Sequence, residues 1–170
     1  MSLLNITPSD FGKGKFELHS GMYETQKIQQ YIDKYEKRYL VQLLGSDLYN
    51  LFAADVVAGV PVDPIYLDLF NAFEYDDTLC DIVISEGMLE MLKGFIYFEY
   101  SKDLTNQMTV NGNVGPSGQN SVRISTINQQ IYTRYNDAVR TFKSIQRYIC
   151  DNQSTYLEYN GVKKRFVYWI

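Results

Sequence analysis

Histidine occurs once in this 170-residue chain, at His19, and cysteine twice, at Cys80 and Cys150. Each scarcity removes a class of chemistry. A nucleophile–base pair needs an imidazole held beside it by a rigid scaffold. His19 instead falls in a stretch interrupted by Gly12, Gly14 and Gly21. Two cysteines and one histidine offer no zinc-ligand spacing and no disulfide framework. No apolar run approaches the ~20 residues that cross a bilayer. The opening "MSLLNITPSDFGKGKF" lacks the basic region and long apolar core of a signal peptide. A net charge of −4 argues against a dedicated nucleic-acid binder. The expectation is a soluble chain from a reducing compartment, with no catalytic residue, no cofactor, no metal and no membrane partner.

Phosphate and di-metal motifs fail on inspection. Gly112, Gly115 and Gly118 run G-x-x-G-x-x-G without the Lys-Ser/Thr of a P-loop or the preceding strand of a dinucleotide site. Glu86 with Glu90 and Glu99 with Asp103 are spaced four apart, yet no histidine follows at the spacing a di-metal bundle needs. These acids read as a solvated or interface face.

Tyrosine is abundant, with 15 Tyr beside 9 Phe and 1 Trp. Its rigid ring and polar tip suit protein–protein contacts and equally suit an amphipathic core, so both uses stand open. The length fits one domain, mainly α, a small bundle of about five helices with a long glycine-rich loop and a C-terminal β-hairpin. Residues 1–22 read as an extended arm, with "KFELH" as a possible short strand. Residues 23–152 form the helical domain. In "YETQKIQQYIDKYEKRYLVQLLG", Ile28, Tyr31, Ile32, Tyr35, Tyr39 and Leu43 recur at three- and four-residue spacings. Gly45 suits the C-terminal cap of that helix and Ser46 the N-terminal cap of the next, "DLYNLFAADVVA". Asp63–Pro64 opens a third helix through Phe70. After a loop, "EYDDTLCD", an apolar fourth helix spans 82–104 and reads as the buried centre. Gly87 and Gly94, two turns apart, mark close approach of another backbone.

The fifth helix is the plainest signal. Ile124, Ile127, Ile131, Tyr135, Ala138, Phe142, Ile145 and Ile149 fall in one stripe about 80° wide. Arg140, Lys143 and Arg147 lie nearly opposite and are candidate subunit or DNA-channel contacts. Between the last two helices lies the uncharged "QMTVNGNVGPSGQNS", residues 107–121. Long structureless loops are uncommon in compact domains and are usually functional or disordered. Within loop 108–121, Asn111, Gly112, Gly115, Pro116 and Gly118 are candidate partner contacts. In the extension, residues 153–170, Asn160–Gly161 between apolar runs signals a hairpin. Its Phe166, Tyr168, Trp169 and Ile170 are very apolar for a terminus and are candidate contacts with a neighbour. Charge is uneven: residues 45–107 hold twelve acids and two bases, residues 122–150 five bases and one acid. Pairing of the last two helices accounts for this, and so does head-to-tail contact between subunits.

"YIDKYEKRYLVQLLGSDLYNLF" resembles the opening helices of head–tail connector (adaptor) proteins of tailed bacteriophages. "SEGMLEMLKGFIYFEYSKDLTNQMTVNGNVGPSGQNS" and "RYNDAVRTFKSIQRYI" resemble the second half of the same group, with a particular likeness to phages of Bacteroidota, including the crAss-like phages. The resemblance covers roughly residues 23–150. It implies a ring of copies of this chain, usually twelvefold, docked below the portal protein, extending the DNA channel and seating a tail or neck protein. It implies a virion location after synthesis in the host cytoplasm, with non-specific DNA passage. The extension "YLEYNGVKKRFVYWI" departs from minimal connectors. The alternative is an intracellular helical interaction module with no virion role.

Overall fold

The structure is a computed structural model that describes residues 2–18, 24–76, 82–105, 108–109, 112–113, 126–161 and 166. Among the described residues five α-helices form: α1 (Thr25–Leu44), α2 (Ser46–Asp55), α3 (Pro64–Phe70), α4 (Met88–Thr105) and α5 (Thr126–Asp151). The described residues also hold three antiparallel strand pairs: β1 (Val56–Val57) with β2 (Val60–Pro61), β3 (Phe73–Asp76) with β4 (Ile82–Ser85), and β5 (Met108–Thr109) with β6 (Gly112–Asn113).

Helix α4 is the centre. It packs chiefly on α5 and also on α1. Met91, Leu92, Phe95 and Ile96 of α4 are buried in one core with Ile131, Tyr135, Ala138, Phe142, Ile145 and Ile149 of α5. Ile124 and the side chain of Ile127 lie outside the described residues. Phe95 stacks on Tyr39 of α1 at 4.1 Å between ring centroids and meets Tyr135 edge-on at 5.8 Å. Gly94 lets α5 come this near. A Cβ there would sit 2.9 Å from Ala138 Cβ and 3.1 Å from the Arg134 carbonyl oxygen.

The fourth helix begins at Met88, not at residue 82. Ile82 and Ile84 point outward while Val83 and Ser85 are buried, a period of two that belongs to a strand. The expected loop gives up Glu74–Asp76 to β3, and residues 77–81, Cys80 among them, lie outside the described residues. Gly87 is therefore not a helix-interior residue. Its φ of +92° turns the chain from β4 into α4, and a Cβ would press on backbone atoms of residues 70–72 at 3.1–3.2 Å. Similarly α2 stops at Asp55, short of Ala58. Val56 and Val57 are β-branched and prefer extended backbone. Ala58 and Gly59, both at positive φ, make the two-residue turn to β2. The Asp55 carboxylate accepts from the Val62 and Asp63 N–H groups at 2.8 and 2.9 Å, fixing the return. Asp63 then caps α3 through the Ile65 N–H.

The N-terminal segment is not an extended arm. Residues 2–18 make two 3-10 turns, and Leu4, Ile6, Phe11, Phe16 and Leu18 are buried. Their irregular spacing gives no periodic signal. Glu36, on the buried side of α1, holds the segment: its carboxylate accepts from the Ser2 hydroxyl and from the Leu3 and Leu4 N–H groups at 2.9–3.0 Å.

The expected C-terminal hairpin has no strand over residues 153–161, which form turns. Here Tyr159 N–H donates to the Tyr156 carbonyl. Tyr156 is buried and its hydroxyl donates to the Ile65 carbonyl at 2.9 Å. Asn160 Nδ2 donates to Asp47 Oδ2 at 2.8 Å and to Ser46 Oγ at 3.2 Å, so the Asn160 side chain closes over the α1–α2 junction.

Candidate interaction surfaces

The α5 cations do not form one uniform outward face. Arg140 is exposed and its Nη1 donates to Asp137 Oδ1, one turn earlier, at 3.1 Å. Lys143 and Arg147 are half-buried and engaged with neighbours. Of the loop residues, Gly112 pairs with Thr109 in the β5–β6 ladder. Asn111, Gly115, Pro116 and Gly118 lie outside the described residues, as do Tyr168, Trp169, Ile170 and His19. Phe166, expected to face a neighbour, lies partly buried in the chain's own core, with its ring 4.7 Å from Phe142 and 5.6 Å from Phe95.

The acids expected to form a solvated or interface face, on α4 and just before it, each have a partner within the chain, with Glu86 and Asp103 exposed. Glu99 accepts the Tyr39 hydroxyl at 2.8 Å, and Asp103 accepts the Tyr31 hydroxyl. Glu86 pairs with Lys15, and Glu90 with Lys93. The tyrosines thus cross-link elements by ring packing at one end and carboxylate bonds at the other. Burial, then the Glu99 charge, pushes the Tyr39 pKa well above its ordinary value. Burial, then the bond to Asp103, does the same for Tyr31. Tyr75 on β3 donates to Asp151 at the end of α5 at 2.7 Å, and its pKa rises mainly through burial. Among the described residues no group of three His, Cys, Asp or Glu could hold a metal ion. No helix there is long and apolar enough to cross a membrane.

Two outward surfaces stand out among the described residues. The first is the outer side of α1. Lys34, Lys37 and Arg38 are exposed and Lys27 half-exposed. At 100° per residue they fall in one stripe opposite Ile28, Ile32, Tyr39 and Leu43. Lys34 and Arg38 both approach the Tyr35 ring, at 4.9 and 5.7 Å. Among the described residues none of the four cations forms an ion pair. Charge counts that start at Gly45 miss this stripe, although its helical spacing is visible in the sequence.

The second surface is acidic and apolar. No Lys or Arg occurs between Arg38 and Lys93, an interval holding ten acids. On the outer face of the β3–β4 pair, Glu74 stands opposite Ile84 and Asp76 opposite Ile82. All four are exposed, the isoleucines by 58–61%. Val57, Val60, Val62 and Ile65 are also exposed, on the β1–β2 and α3 segment. Exposed β-branched residues gathered on short strand pairs suit burial against a partner better than solvation.

No protein-family model, curated protein or solved structure matches the chain.

Proposed function

We propose that this chain is a virion structural protein, a subunit of a head–tail connector ring that lies below the portal and extends the DNA channel. The observation that carries the reading is the division of its outer surface into a cationic stripe on α1 and an acidic, apolar flank around β3–β4. Two complementary patches on one subunit favour heterologous contacts, which make a ring where the rotation between subunits closes. The order of helix, helix, long apolar helix, glycine loop and basic helix supports the same class.

In this reading the glycine-rich loop of residues 108–121 reaches the portal, the tail-side protein or the next subunit. Tyr168, Trp169 and Ile170 of the extension, whose hairpin form belongs to the proposal, add contacts at the neck. Arg140, exposed on α5, meets a neighbour or the phosphates of passing DNA without sequence preference. Electron microscopy of the assembled particle, or of this chain mixed with its portal, tests the proposal. A ring of density fitted by α1, α4 and α5 is expected. A particle that lacks the chain at the neck refutes it.

A further inference from the structure

We infer that the α1 stripe of one copy docks on the outer face of the β3–β4 pair of the next, so that Lys34, Lys37 and Arg38 meet Glu74 and Asp76 across a heterologous contact. The contact rests on the ring reading and gives it a specific interface. Three observations lead to it. The stripe cations form no ion pair among the described residues, whereas Lys15, Lys93 and Arg140 all do. The strand face has two carboxylates and no cation on either strand. The spacings also agree. Lys34 and Arg38 are four residues apart on a helix, a rise of about 6 Å. Glu74 and Asp76 are two residues apart on a strand, about 7 Å.

The isoleucines find a partner in the same arrangement. Lysine and arginine stems cover apolar surface while their heads reach outward. The stems of Lys34 and Arg38 can therefore lie over Ile82 and Ile84 as their charges reach the two acids. The surfaces belong to elements supported differently: α1 packs on α4, whereas β4 packs on α5. Both halves stay open in one subunit, as head-to-tail association requires. Nucleic-acid phosphate is the competing occupant of a cationic stripe, but it leaves Ile82 and Ile84 unburied.

Charge reversal in the full-length chain tests the contact, with sedimentation velocity reading association and circular dichroism confirming folding. One variant carries Lys34→Glu, Lys37→Glu and Arg38→Glu. The other carries Glu74→Lys and Asp76→Lys. Alone, each juxtaposes like charges and should weaken association roughly a hundredfold or more. Mixed, each presents the complement of the other, and association should return to within about tenfold of wild type. Wild-type association that falls with salt, together with rescue in the mixture, supports the contact. A stripe variant that associates like wild type overturns it and leaves the ring reading standing. A stripe variant that associates normally but no longer retains a random-sequence DNA duplex assigns the stripe to phosphate instead. A wild-type chain that stays monomeric alone and forms no ring on its portal overturns both readings.

Discussion

Replacing Gly94 by alanine sets two effects of opposite sign against each other. At an unobstructed helix position the change would stabilise α4 by ~1 kcal/mol, because glycine loses more backbone entropy on folding. Position 94 is obstructed. The new methyl would lie 2.9 Å from Ala138 Cβ and 3.1 Å from the Arg134 carbonyl oxygen, whereas carbon atoms rest at about 3.5–4.0 Å. One obstacle is backbone and cannot rotate away, so α5 must retreat by ~0.5 Å near residues 134–138. The same helix carries Tyr135 and Phe142 against Phe95, so the displacement loosens the central aromatic cluster. Overpacking of this kind costs ~1–3 kcal/mol. Less the propensity gain, Gly94→Ala should destabilise the fold by ~1 kcal/mol, and Gly94→Val by ~3 kcal/mol or more. Urea unfolding followed by circular dichroism gives the midpoint and its slope. A midpoint raised in the alanine variant would refute the close approach of α4 and α5.

Glu36→Ala leaves the Leu3 and Leu4 N–H groups without their acceptor and should cost ~2–4 kcal/mol; unchanged stability and unchanged Leu4 amide exchange would show that the N-terminal segment is held otherwise. The raised tyrosine pKa values carry a pH dependence: the folded chain holds these protons more tightly than the unfolded chain, whose tyrosines ionise near 10, so stability is full below about pH 10 and falls as the pH rises above it. Tyr159, which burial pushes up to about 12, should then ionise together with loss of helicity, and a smooth titration of all the tyrosines near pH 10 with the fold intact would contradict their burial. Tyr156→Ala should cost ~3 kcal/mol or more and Phe166→Ala ~2 kcal/mol, since both fill the core. Truncation after Asn152 should therefore lower stability severely, and an equally stable shortened chain would free the extension for a role outside its own fold.

Helices α1 and α5 were legible because their apolar residues recur at helical spacing over many turns. Single residues of special chemistry also spoke plainly, as at Gly45 and Asp63–Pro64. The β3–β4 pair was hidden because "IVIS" is a short apolar run that a strand and a buried helix share, and it runs directly into the apolar start of α4. Residues 2–18 were missed for another reason. Leu4, Ile6, Phe11, Phe16 and Leu18 are placed by turns and by the Glu36 carboxylate, contacts between positions more than thirty residues apart that no local period reports. The candidate surfaces were half legible. Cations on α5 are as conspicuous in sequence as those on α1, yet only the fold shows which of them already have partners.

The Asn160 side chain, seated on Ser46 and Asp47, has a temporal consequence. Gly45, at a φ of +79°, leaves the space that Asn160 fills, but 113 positions separate Asp47 from its partner. At a synthesis rate of about 5–20 residues per second, roughly 6–23 s elapse between the two leaving the peptidyl-transferase centre. For that interval the α1–α2 corner of a nascent chain is open, and the hydroxyl and carboxylate at the start of α2 are hydrated. The corner closes only after α4 and α5 have been made, so a ribosome stalled before residue 160 carries a chain whose helices can pair but whose first corner stays unlatched.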